Sequence, residues 1–116
     1  MTANVTIFHN SRCSKSRQTL QLLQDRGVQP TVVEYLKDPP STARVHELFS
    51  LLGIEPHALL RKKEAAYQEL GLSPASSADE IACAITDNPV LMERPVVVVG
   101  DRAALGRPPE TALEIL

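Results

Sequence analysis

Cys13 stands where a thiol can be made reactive. It follows the apolar run Val5–Phe8 and the polar stretch His9–Arg12, and it directly precedes a helically periodic segment that begins at Ser14. The backbone N–H groups of Ser14, Lys15 and Ser16 are then helix-terminal donors without intrahelical partners, pointing towards the turn that holds the cysteine. Such a place binds anions and favours the thiolate, the nucleophilic form of cysteine. Arg12, Lys15 and Arg17 add positive charge nearby. The chemistry predicted is attack by sulfur on an anionic substrate. Ser16 occupies the fourth position of the short motif, making it Cys-x-x-Ser. A dithiol reaction within the motif is therefore unavailable, and any redox cycle must be resolved by an outside thiol.

His9 begins the same polar stretch, and two readings of it stand side by side: its imidazole stabilises the thiolate, or it bonds within the turn at the end of the strand. Asn10 and Ser11 suit side-chain-to-backbone bonds that shape the loop. Cys83 lies in the apolar stretch Ile81–Ile85, where packing accounts for it. His46 and His57 fall on amphipathic segments and are expected to be solvated. The histidines and Cys13 show no metal-ligand spacing, so no metal site is expected. Three arginines sit at element boundaries: Arg61 after Ala58-Leu59-Leu60, Arg94 before Pro95, and Arg107 before Pro108-Pro109. A guanidinium stays charged and matches tetrahedral oxyanions with paired hydrogen bonds, but spacing alone does not bring the three together.

These side chains need a frame. Val5–Phe8 reads as a buried strand, Ser14–Arg26 as a helix stopped at Gly27, and Thr31–Leu36 as a second strand, an order that favours a parallel pair. Ser41 caps a helix carrying Val45, Leu48, Phe49 and Leu52 and closed by Gly53. Short helices are expected from Pro56 and over Glu64–Leu70, and the Ser77…Glu80 spacing is that of a capping box. Val96–Val99 reads as a strand covered on both faces, Gly100-Asp101 as a hairpin turn into Arg102–Leu105, and Pro108-Pro109-Glu110 as the start of a C-terminal helix. No repeat, linker or low-complexity segment interrupts this order.

Composition narrows the classes. The 116 residues are 43% hydrophobic and 22% charged, ordinary for one globular domain. A net charge of −2 and 3% aromatics argue against nucleic-acid binding. No apolar run approaches the roughly 20 residues that span a bilayer. The stretch Met1–Val5 does not read as a secretory leader, so a cytoplasmic location is expected, where two distant cysteines stay reduced.

Over essentially its whole length the sequence resembles the bacterial glutathione/glutaredoxin-dependent arsenate reductase family (ArsC-like). The matching stretches are Ile7–Arg17, Ala58–Arg61, Asn88–Pro95 and Gly106–Glu110, in order and at family spacing. The resemblance implies an α/β, thioredoxin-like mixed sheet flanked by helices, with a helical insertion at approximately 41–88 between two halves of a single domain, 1–116. It implies that Cys13 is the nucleophile, that His9 helps keep it ionised, and that Arg61, Arg94 and Arg107 bind arsenate. It further implies that Pro95 is cis, that glutathione is a co-substrate and glutaredoxin a partner, and that no cofactor is tightly bound. Two alternatives share the fold: a glutaredoxin-like monothiol protein without arsenic chemistry, and an Spx-type regulatory module, whose usual Cys-x-x-Cys switch Ser16 breaks.

Overall fold

The computed structural model describes residues 4–116, so residues 1–3 of the stretch considered as a leader lie outside it. The chain divides into two compact units, one formed by the chain through Tyr35 together with Arg94–Leu116, the other by Leu36–Glu93.

The first unit is built on a four-stranded mixed sheet of order β2-β1-β3-β4, with β1 at Val5–His9, β2 at Thr31–Glu34, β3 at Val96–Val99 and β4 at Arg102–Leu105. β2 runs parallel to β1, with His9 opposite Glu34. β3 is antiparallel to both β1 and β4, pairing Phe8 with Val96 and Val96 with Leu105. All four valines of β3 are buried, as their unbroken apolar run requires. β2 stops at Glu34 rather than running on to Leu36, because β1, the neighbour that pairs with it, ends at His9. Helix α1, Ser14–Asp25, buries Leu23 in a core with Val5, Ile7, Val97, Val99 and Ala112. Gly27 takes φ +77° just beyond the helix, a left-handed conformation that glycine adopts without a Cβ penalty.

The C-terminal helix is 3₁₀ rather than α, over Pro109–Ile115. It buries Pro109 and Ala112, three residues apart as the 3₁₀ repeat places them on one face, and Leu113 and Ile115 pack against the same core. Gly106, between β4 and this segment, is close-packed. Its N–H donates to the Pro95 carbonyl at 2.9 Å. A Cβ there would fall 2.5 Å from Thr19 Oγ1 and 2.8 Å from Pro95 Cγ.

The second unit carries the helical insertion: α2 (Thr42–Leu52), a 3₁₀ turn (Pro56–Leu59), α3 (Ala65–Glu69), α4 (Ala78–Asp87) and a further 3₁₀ turn (Pro89–Leu91). Ser41 Oγ accepts the Arg44 N–H at 3.1 Å, and Ser77 with Glu80 forms the complete capping box. Leu60 and Met92 form an isolated antiparallel bridge that the sequence did not suggest. Three expectations are corrected here. Cys83 is exposed, because α4 turns its neighbours Ile81, Ala82, Ala84 and Ile85 inward and leaves that position facing out. His46 and His57 are half-buried rather than solvated. His46 Nε2 lies 2.8 Å from Asp79 Oδ1, and His57 Nε2 is hydrogen-bonded to Tyr67 Oη at 2.7 Å. Among the described residues no helix is long and apolar enough to cross a membrane.

Gly106→Ala should lower stability by about 1–3 kcal/mol, the usual cost of overpacking. Urea denaturation checks this, and an unchanged midpoint would mean that Thr19 and Pro95 yield without strain.

Candidate active site

Cys13 is the N-cap of α1, with extended backbone (φ −93°, ψ 122°), and its carbonyl accepts the first helical bond from the Arg17 N–H at 3.0 Å. The turn before it is tied down from several sides. The Cys13 N–H donates to the Asn10 carbonyl, and the Arg12 N–H to Asn10 Oδ1, both at 3.0 Å. Arg17 Nη1 donates to the Ser11 carbonyl at 2.9 Å. Asn10 thus shapes the loop through its side chain as expected, whereas Ser11 contributes its backbone.

Burial pushes the Cys13 thiol up, but the balance falls below the ordinary thiol range. The backbone N–H of Ser16, the Arg94 guanidinium through a hydrogen bond and its charge, and the backbone N–H of Lys15 outweigh burial together. The helix entrance therefore acts as the sequence predicted. The cation that matters most at sulfur is Arg94, from far along the chain, while Arg12, Lys15 and Arg17 are exposed. With its folded value lowered, the ionised thiol contributes stability fully above the ordinary thiol range, and this is lost as pH falls through the folded value.

His9, at the end of β1, is only 6% exposed. Its Nδ1 is hydrogen-bonded to Ser16 Oγ at 2.6 Å, and the same oxygen accepts the Asn10 N–H at 3.0 Å. Burial lowers the imidazole's affinity for a proton, the Glu34 carboxylate opposes this, and Arg17 reinforces it. His9 is thus favoured neutral, and it braces the residue whose N–H faces the sulfur. Ser16, fully buried, is more than an absent second cysteine: it joins β1, the loop and α1.

Arg94 is half-buried and interacts through its guanidinium with both Cys13 and Tyr35. Burial alone would weaken its hold on its proton, yet the two partners raise it further, so the cation is permanent. Arg107, exposed, donates from Nε to the Arg94 carbonyl at 2.8 Å. The peptide bonds Arg94–Pro95 and Arg107–Pro108 are both cis. Arg61 belongs to the second unit. There its N–H donates to the Leu91 carbonyl at 2.7 Å, and its guanidinium pairs with Glu64 at 3.4 Å and Glu93 at 3.7 Å. Among the described residues no group of three His, Cys, Asp or Glu side chains is placed to hold a metal ion.

Sequence reasoning passed over Tyr35, which it absorbed into a strand. The available signal was a tyrosine near the end of the strand-like stretch Thr31–Leu36, since a buried phenol needs a polar partner.

The mixed sheet, with a cysteine at the entrance of the helix after β1 and a cis-proline before β3, defines a thioredoxin-like thiol protein. The chain belongs to the ArsC family, whose model matches residues 8–115. It is 49% identical to the uncharacterized Escherichia coli protein YfgD, over 100% of this chain and 99% of that one. It is 43% identical to the arsenate reductase of Neisseria meningitidis, over 97% of each. The solved structure of an arsenate reductase from Vibrio cholerae superimposes with a TM-score of 0.95 at 44% identity, covering 100% of both chains.

In a Cys83→Ser background, which removes the exposed second thiol, the pH profile of iodoacetamide alkylation should place Cys13 below an ordinary thiol. Arg94→Met should move that profile to higher pH, because it removes both a hydrogen bond and a charge from the thiolate. An unmoved profile would show that the helix entrance alone ionises Cys13.

Proposed function

We propose that this protein is an arsenate reductase that works with external thiols. The observation that carries the reading is the Cys13 thiol held against backbone N–H groups and the Arg94 guanidinium, in a chain that matches arsenate reductases end to end. The Cys13 thiolate attacks arsenic(V), forming an S–As bond while one arsenic oxygen leaves as water after protonation. This substitution changes no oxidation state. Negative charge that was on sulfur passes to the arsenate oxygens, and Arg94 already lies beside that place, so little reorganisation is needed. Arg107, whose Nε donates to the Arg94 carbonyl, supplies a further guanidinium donor for the oxyanion. His9 acts through Ser16 to hold the turn that keeps Cys13 ionised.

Glutathione next displaces a second oxygen from arsenic. A glutaredoxin thiolate then attacks the glutathione sulfur, forming a glutaredoxin–glutathione disulfide as the electron pair of the S–As bond returns to arsenic. Two thiols lose two electrons and arsenic(V) becomes arsenic(III). Water releases arsenite and frees Cys13 as the thiolate. Ser16 fits this division of labour, since no second cysteine in the motif competes with the outside thiols. No tightly bound cofactor is required, and a supply of reduced glutathione points to the cytoplasm.

Purified protein should drive arsenate-dependent NADPH oxidation when coupled through glutathione, glutaredoxin and glutathione reductase, and Cys13→Ser should abolish it. Arg94→Ala and Arg107→Ala should each lower kcat/KM by about 10²- to 10³-fold, the usual cost of losing an oxyanion donor, a far larger loss than any in folding stability. Absence of turnover, with partner binding that survives Cys13→Ser, would instead favour a regulatory module.

A further inference from the structure

Tyr35 is among the largest fully buried side chains, and its Oη is sealed from solvent. Apolar packing would be served as well by phenylalanine, and a buried hydroxyl is costly unless it meets a polar group. That group is the guanidinium of Arg94, which also meets Cys13. The sheet register explains the meeting. Glu34 lies opposite His9 on one side of β1, so Tyr35 leaves β2 where the Cys13 loop begins. Val96 lies opposite Phe8 on the other side, so Arg94, two residues earlier, reaches the same end of the sheet.

We infer that Tyr35 is a positioning residue whose hydroxyl accepts a hydrogen bond from the Arg94 guanidinium and thereby fixes it against the Cys13 sulfur. Guanidinium N–H groups only donate, so the phenol oxygen can serve them as acceptor. A guanidinium held at one edge presents its remaining donors in a set direction, first to the thiolate and then to the oxyanion that replaces it. The inference rests on the proposed function only for its effect on turnover; its effect on the thiol does not.

The test is Tyr35→Phe, which removes one oxygen and keeps the buried ring, made in the Cys83→Ser background. The alkylation profile of Cys13 should move to higher pH, and arsenate turnover should fall about tenfold, the scale seen when a supporting partner of an active-site group is lost. The denaturation midpoint should stay near wild type. In an Arg94→Met background, Tyr35→Phe should move the profile no further. An unchanged profile, a shift to lower pH, or an equal shift without Arg94 would overturn the inference. A protein that shows the alkylation shift but never turns over arsenate would sink the proposed function and leave the role of Tyr35 standing.

Discussion

The antiparallel pairing of β3 with β1 is the constraint on which the first unit's chemistry rests. β1 runs towards the Cys13 loop, and β3 starts opposite Phe8, so whatever precedes Val96 lies beside whatever follows β1. β4 returns antiparallel to β3 and finishes opposite Val96, which delivers Gly106 and Arg107 to the same end. β2, parallel to β1, finishes opposite His9 and delivers Tyr35. One register therefore gathers a thiol, two guanidinium groups and a phenol from four separate stretches. Slipping it by one residue would exchange the two faces of β3 and scatter the polar groups together.

Within that frame, charge is placed rather than accumulated. The exposed basic residues beside Cys13 in sequence are screened by solvent, and a partly desolvated Arg94 has more influence on the sulfur. Arg94 and Cys13 raise and lower each other's proton affinities in the sense that keeps both charged. Under the proposed function, an oxyanion on the sulfur would meet the same donors that favour the thiolate. Arg61 is set differently: Glu64 and Glu93 already face its guanidinium, so an anion there competes with two carboxylates.

Close packing holds the frame without spare room. Thr19 and Ser16 are polar residues buried on α1, each satisfied locally: Thr19 Oγ1 donates to the Lys15 carbonyl at 2.8 Å, and Ser16 Oγ meets His9 and Asn10. Gly106 presses closely against Thr19 and Pro95. The helix entrance that lowers the Cys13 thiol is thus held by buried polar side chains.

Much of this protein was legible in one dimension. Apolar periodicity, caps at Ser41 and Ser77, and glycines beyond helix ends are local signals, and they specified the elements of both units nearly to the residue. The position of Cys13 at a helix entrance is local too, because it depends only on a strand, a turn and a helix in succession. Distance in space was not legible. Sequence gave Arg12, Lys15 and Arg17 as the cations near the thiol, whereas register put Arg94 there; it read Cys83 as packed, whereas the facing of α4 exposes it; it read Tyr35 as strand, whereas the end of β1 released it. The sequence by itself determined a thiol at a helix entrance, where backbone N–H groups favour its ionised form. Which charged and polar groups surround that thiol was decided only by strand pairing between segments far apart in the chain, because hydrogen-bonded register, unlike helical periodicity, is a relation between two segments and is written in neither alone.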